Sequence, residues 1–257
     1  MESITGTNGV LKPPRGYLEA VRQICDENGI LMVCDEVMAG FGRSGKLFGF
    51  CHAPSVVPDI VTFAKGVNGA TISLGGVGVR DHLADHFRKN PLAIGSTYNG
   101  HPVGLASALA SLRELLDRDL VGHAARMEEH MKVGLQRLID KHPRYVASVT
   151  ARSNPLSILN GIIRSLYSVK QARVTGLFGC FDIAKNAKGD FVAEVTDPLT
   201  PAMAKFKAAL LERGLFTMMR GHTVFCNPPL IILPEQIKEA FDIFDDALTI
   251  MDDAIER

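Results

Sequence analysis

An acid and an amine each close a short apolar run. Ile30-Leu-Met-Val-Cys-Asp35 ends on Asp35, and Ile60-Val-Thr-Phe-Ala-Lys65 ends on Lys65, with Gly66 behind it. Short runs that are apolar throughout suit the central strands of a parallel sheet. The separation of the two ends is about that of one βαβ unit, or of a hairpin with a long excursion. In open α/β sheets ligands gather outside the carboxyl ends of the strands. A lysine placed there can form an imine with a carbonyl compound when its surroundings favour the neutral amine. A carboxylate placed there can keep a pyridine nitrogen protonated and make that ring an electron sink. A lone aspartate is more commonly a cap or an ion-pair partner, and a lone lysine a surface amine. The position of each at the end of an apolar run reduces the weight of that plainer reading and does not remove it.

The elements that must position these residues follow from pattern. Residues 16–28 carry apolar side chains at 17, 18, 21, 24 and 25, which predicts a helix stopped by Asn28-Gly29. The runs 30–34 and 59–63 predict two strands, and 73–80 a third strand or hairpin whose glycines permit close backbone approach. Between the first two, Gly40, Gly42 and Gly45 interleave with Phe41, Arg43 and Lys46 in a loop. A short helix over 81–89 precedes a polar loop, 95–102, and helices over 103–117 and 119–141 follow. The small residues and charged face of the last suit a surface or inter-domain helix. From about residue 172 the pattern becomes α+β. It reads as a strand-pair edge over 172–183, a turn at 185–190 and a helix over 201–213. Strands at 215–219, 223–226 and 230–233 come next, then a helix over 234–255 opened by Pro234. Residues 144–167 show neither the helical nor the strand period.

Bulk composition narrows the function classes. With 257 residues the chain holds one large domain or two small ones. Lys+Arg and Asp+Glu are equal at 28 each, which gives no global electrostatic case for a nucleic acid or an anionic membrane as partner. The five cysteines are scattered with no CxxC pair, and read as reduced thiols of an intracellular protein. No metal-ligand pattern is assigned, no apolar stretch is long enough for a transmembrane helix, and the first residues are not those of a signal or transit peptide.

Three longer motifs carry a resemblance. Cys34-Asp-Glu-Val-Met-Ala-Gly-Phe-Gly-Arg-Ser-Gly-Lys-Leu-Phe-Gly49, Pro58-Asp-Ile-Val-Thr-Phe-Ala-Lys-Gly66 and Ser96-Thr-Tyr-Asn-Gly-His-Pro102 resemble, in order and spacing, the class III aminotransferases. These are pyridoxal-phosphate enzymes related to the omega-amino-acid aminotransferases. The resemblance covers nearly all of the chain outside 144–167. It implies an α/β chain of the fold type I transferases: the C-terminal portion of the cofactor-binding large domain over residues 1–120, then a smaller α+β domain over 121–257. It implies pyridoxal 5'-phosphate as cofactor, with Lys65 as the lysine that bonds it and shuttles the proton, and Asp35 as the partner of its ring nitrogen. Val37 would pack on one ring face, and plain core valine fits its type equally. Thr97 matches the threonine that reaches the cofactor phosphate of a neighbouring subunit; by itself it is a loop hydroxyl bonding its own backbone. Arg220 resembles an arginine that grips a substrate acid group, as a bidentate guanidinium can; a surface ion pair is the equal alternative. His101 reads as structural, and Gly42-Arg43 as loop geometry rather than a phosphate cradle.

The implied activity is transfer of an amino group from an amine or omega-amino acid to a 2-oxo acid such as pyruvate, in a homodimer, with a cytoplasmic location or a mitochondrial one if a leader was lost. The family's long N-terminal portion, with a phosphate-binding helix start and an aromatic that stacks on the other ring face, has no counterpart ahead of Asp35. An N-terminal truncation is therefore expected, and an inactive fragment or a wrongly assembled gene product is the competing reading. A decarboxylase or racemase on the same scaffold would also keep Lys65 and Asp35. Thr7 stands where some relatives carry an acid, so no arginine–glutamate switch is carried over. Residues 144–167 read as a translated intron or a genuine surface insertion.

Overall fold

A computed structural model describes residues 1–142, 168–185 and 190–253, so residues 144–167, read above as a translated intron or an insertion, and most of the turn expected at 185–190 lie outside the described residues. The chain forms two compact units. One comprises Met1–Glu128 with Thr175–Phe178 and Pro229–Ile231; the other comprises Glu129–Val174, Gly179–Pro228 and Ile232–Arg257.

The first unit is built on a three-stranded sheet. Helix α1 (Tyr17–Glu27) leads into β1 (Val33–Asp35), β2 (Ile60–Phe63) and β3 (Gly76–Val79), in the order β1-β2-β3. β1 and β2 are parallel, with Asp35 opposite Thr62, and β3 runs antiparallel to β2. Residues 1–2 continue the sheet beyond β1: the Met1 amino group donates to the Val33 carbonyl at 2.8 Å, and Asp35 N–H donates to the Met1 carbonyl at 2.8 Å. The run 30–34, expected to be buried throughout, is buried on one side only. Met32 and Cys34 pack with Leu18 and Cys25 of α1 and with Ala53 and Val56, while Ile30, Leu31 and Val33 are exposed. Ile30 and Leu31 lie outside the strand because Met32 turns the chain into it. Its N–H donates to the Asp59 carboxylate at 2.8 Å, and its carbonyl accepts the Asp59 and Ile60 N–H groups.

Asp59 is the tie of this unit. Its buried carboxylate takes the Arg22 guanidinium of α1 at 2.7 Å, the Met32 amide, and more distantly Arg80 after β3 at 3.5 Å. A second apolar cluster joins Phe41 and Val67 to Ala108 and Leu115, with Phe48 and Phe63 edge-on to Phe41 at 5.4 and 5.5 Å. Ala108 and Leu115 belong to helix α3 (Pro102–Asp117), which follows α2 (Asp81–Lys89). His101 Nδ1 caps α3 by accepting Val103 N–H, the structural part expected of it.

The second unit pairs a four-stranded sheet with helices. Helix α4 (Leu120–Lys141), within which the division between units falls, is followed by β4 (Ser168–Thr175), β5 (Phe178–Ala184), α5 (Pro201–Glu212), β6 (Met219–Arg220), β7 (Thr223–Cys226) and α6 (Pro234–Asp253). The sheet order is β4-β5-β7-β6. Thr200 caps α5 through its hydroxyl, with Pro201 in the first turn. Of the strand expected over 215–219 only Met219 is in a strand, as the first residue of β6, and 230–233 is not a strand; Leu233 N–H instead donates to the Gln236 side-chain oxygen at 3.0 Å at the start of α6. Asp182 on β5, almost without exposure, collects Gln171 at 2.7 Å, Arg173 at 2.8 Å and the Thr223 hydroxyl at 2.7 Å. Phe181 and Phe244 meet edge-on at 5.3 Å. No helix among the described residues is long and apolar enough to cross a membrane.

The small residues of α4 have a packing reason. A Cβ at Gly134 would press into the ring of Phe241, which is buried in α6. Arg137 and Lys141 further along bind Asp242 at 2.7 Å and Asp245 at 2.5 Å. Gly134→Ala is expected to overpack this contact and lower stability by about 1–3 kcal/mol, read from urea unfolding.

Burial acts to raise the Asp59 carboxyl, but the Arg22 bond and the Met32 amide outweigh it and hold the group below its ordinary 3.8. A depressed acid contributes stability that is present above the ordinary value and lost as pH falls through the lowered folded value. Asp59→Asn should therefore flatten the acid side of the melting-temperature profile, while leaving its slope at neutral pH unchanged.

Candidate active site

The site is set by the register of β1 and β2. Parallel pairing of Asp35 with Thr62 brings both strands to their carboxyl ends together, and Lys65 follows Thr62 by one short step. Asp35 is half-buried, and its Oδ1 accepts the N–H of Val37 at 2.9 Å. That bond fixes the carboxylate against its own backbone and leaves it at the strand end. Val37, half-buried, follows in the same turn.

Lys65 opens a 3₁₀ turn, Lys65–Val67. Its φ is +43°, a left-handed conformation uncommon for a residue with a side chain. Val67 anchors the turn in the cluster with Phe41 and α3. Lys65 is exposed and borders an open concavity of about 560 Å³ shared with Ala64, Asn68, Ile72, Ser73 and Leu74. Leu74 in turn meets α3 at Gly104, where a Cβ would stand 3.4 Å away.

Of the other residues singled out in the sequence, Thr97 lies in the exposed turn ahead of α3. Arg220 is half-buried on β6, in the second unit. The structure thus places Asp35, Val37 and Lys65 at or just beyond the carboxyl ends of two adjacent parallel strands, in one unit with Thr97. Gly42-Arg43 serves the loop. Arg43 donates to the Leu177 carbonyl at 3.0 Å and accepts Leu177 N–H through its own carbonyl, and burial pushes its guanidinium down to about 10.

Glu36 was not singled out. Alternation along a strand sends it to the face opposite Asp35, where it has no exposure. Its carboxylate accepts the Ser3 hydroxyl at 2.5 Å, Gly49 N–H at 2.7 Å and Phe50 N–H at 3.0 Å. Burial pushes its carboxyl up, against the pull of these three donors. The signal available in the sequence was the adjacency of two acids at the end of an apolar run, where both cannot face the same side.

Residues 1–158 match the family Aminotransferase class-III. The chain belongs to the class III aminotransferases. A putrescine aminotransferase of Pectobacterium atrosepticum is 32% identical over 247 residues, which is 95% of this chain and 45% of that protein. The taurine:2-oxoglutarate aminotransferase of Bifidobacterium kashiwanohense, solved in complex with PLP and glutamate, superposes with a TM-score of 0.84 at 37% identity, covering 100% of this chain and 52% of that one. An (S)-enantioselective omega-transaminase from Thermomicrobium roseum gives a TM-score of 0.80 at 30% identity, over 97% of this chain and 50% of that one. The chain spans about half the length of these relatives. Its α/β architecture is accordingly part of the fold type I transferase fold.

Glu36→Ala should strand three donors behind the Asp35 strand end and lower stability by about 3 kcal/mol, measured by chemical denaturation. Glu36→Gln, which keeps an acceptor oxygen, should lose less.

Proposed function

We propose that this class III aminotransferase chain belongs to an enzyme that moves an amino group from an amine or omega-amino acid to a 2-oxo acid, with pyruvate as one acceptor and pyridoxal 5'-phosphate as cofactor. The observation that carries the reading is the placement of Lys65 and Asp35 at the carboxyl ends of two adjacent parallel strands. The donor set fits the group in chemical type: an amine for its aldehyde, and a carboxylate for its ring nitrogen. The concavity that Lys65 borders leaves open space beside that residue.

When bound, the cofactor supplies an electron sink for charge that develops on the substrate carbon. Lys65 would hold the cofactor through its Nζ, and that amine would be the group to move a proton at the substrate carbon. Asp35 would face the ring nitrogen, and its bond from Val37 N–H limits the directions the carboxylate can adopt. The half-buried Val37 side chain would supply the apolar contact to a ring face. Thr97, exposed on its turn, would offer a hydroxyl to the phosphate held by a second subunit in a homodimer. Arg220 binds the acid group of a substrate. In this reading residues 1–120 are the C-terminal portion of the large domain and 121–257 the small domain. The named relatives act on putrescine and taurine, so diamines and amino sulfonates are the first donors to offer.

The test is chemical trapping. The purified chain is mixed with pyridoxal 5'-phosphate and reduced with borohydride, and the modified lysine is mapped by mass spectrometry. Modification at Lys65, lost in Lys65→Ala, is expected. Asp35→Asn should retain trapping and lower amino transfer to pyruvate or 2-oxoglutarate by about a hundredfold or more, the scale on which lost electrostatic stabilisation acts. A folded chain that traps no cofactor at Lys65 sinks the reading.

A further inference from the structure

The turn that follows Lys65 is closed by a buried amide. Asn68 is 2% exposed, and its Nδ2 donates to the Ile72 carbonyl at 2.6 Å. Its own carbonyl accepts the N–H of Thr71 at 3.2 Å and the Thr71 hydroxyl at 2.9 Å. The carbonyl of Lys65 accepts the N–H groups of Asn68 and Ala70 at 3.4 and 3.3 Å. Lys65, Gly69 and Ala70 all have positive φ, at 43°, 60° and 60°. A side-chain-bearing residue stays in that conformation only where its surroundings over-determine it. Val67 fixes the turn from the core side. On the concavity side the fastening is Asn68, which lines that space together with Lys65 and Ile72. An amide is suited to this place: it reaches a carbonyl four residues on with a neutral donor, and a buried carbonyl left without a donor would be costly.

We propose that Asn68 is a positioning residue for Lys65. By closing the 68–72 turn it holds the Lys65 backbone left-handed and so fixes the direction from which the amine meets a bound carbonyl compound. This rests on the reading of Lys65 as the cofactor lysine. The residue touches no reacting atom; it acts through the turn.

The experiment compares the full chain with Asn68→Ala and Asn68→Ser, using pyridoxal 5'-phosphate as the probe. Two quantities are read: borohydride-trapped cofactor at Lys65, and the visible-band circular dichroism of the same sample before reduction, divided by the amount later trapped, which reports how the ring is oriented. Thermal melts identify which variants fold. The expected result is roughly tenfold weaker trapping in Asn68→Ala, visible dichroism per cofactor reduced several-fold, and a partial recovery of both in Asn68→Ser, whose hydroxyl can still donate. Should the alanine variant fail to fold, the serine variant decides by the same two readings against the parent chain. A folded variant that traps cofactor and orients it as the parent does overturns the positioning role while leaving the Lys65 reading intact. A parent chain that does not trap at Lys65 overturns both.

Discussion

A carboxylate without solvent contact lies directly behind the acid of the candidate site. Glu36 holds Ser3, from the first residues of the chain, and the amides of Gly49 and Phe50, from the end of the glycine-rich loop. Because side chains alternate along a strand, the same peptide unit that turns Asp35 outward turns Glu36 inward. The outward acid can be no better fixed than the inward one. Three donors converge on one buried charge, and the loss of any of them would leave that charge under-solvated, a cost larger than the bond itself. The β1 strand end is thereby joined to the chain on either side of it, and the Val37 amide that orients Asp35 comes from the same joint.

Asp59 plays the matching part at the opposite end of the strands. It takes α1 through Arg22, the entry to β1 through Met32, and the exit from β3 through Arg80. With Glu36 at one end and Asp59 at the other, the parallel pair β1–β2 is held at both ends by buried acids while its middle packs by Cys34 and its apolar neighbours. The aromatic cluster around Phe41 then seats the turn after Lys65 against α3. Lys65 is positioned from below by apolar packing and from the side by hydrogen bonds within its own turn.

Helices were the legible part of the sequence. α1, α2, α5 and α6 have a clear 3.6-residue period, and their starts are marked by Pro201 and Pro234 in two cases, so bounds fell within a residue or two. The strand ends that carry Asp35 and Lys65 were legible for a different reason, an apolar run stopped by a charge. What the pattern could not supply was which side of a run is covered: 30–34 has one composition throughout, and only packing against α1 distinguishes Met32 and Cys34 from Ile30, Leu31 and Val33. Likewise 230–233 is apolar enough for a strand, yet Gln236 engages Leu233 N–H at a helix start, an arrangement set by the fold rather than by periodicity. Glu36 and Asn68 were illegible because buried polar residues look like surface ones until their partners, distant in sequence or hidden in a turn, are known.

The left-handed backbone at Lys65 carries an evolutionary consequence. A lysine in that conformation costs of order 1 kcal/mol or more relative to a residue that adopts it freely. Glycine would relieve that cost, and asparagine much of it. Mutational drift at this position therefore runs downhill in folding energy, away from the amine. Under the role proposed for Lys65, selection on turnover would have to oppose that drift.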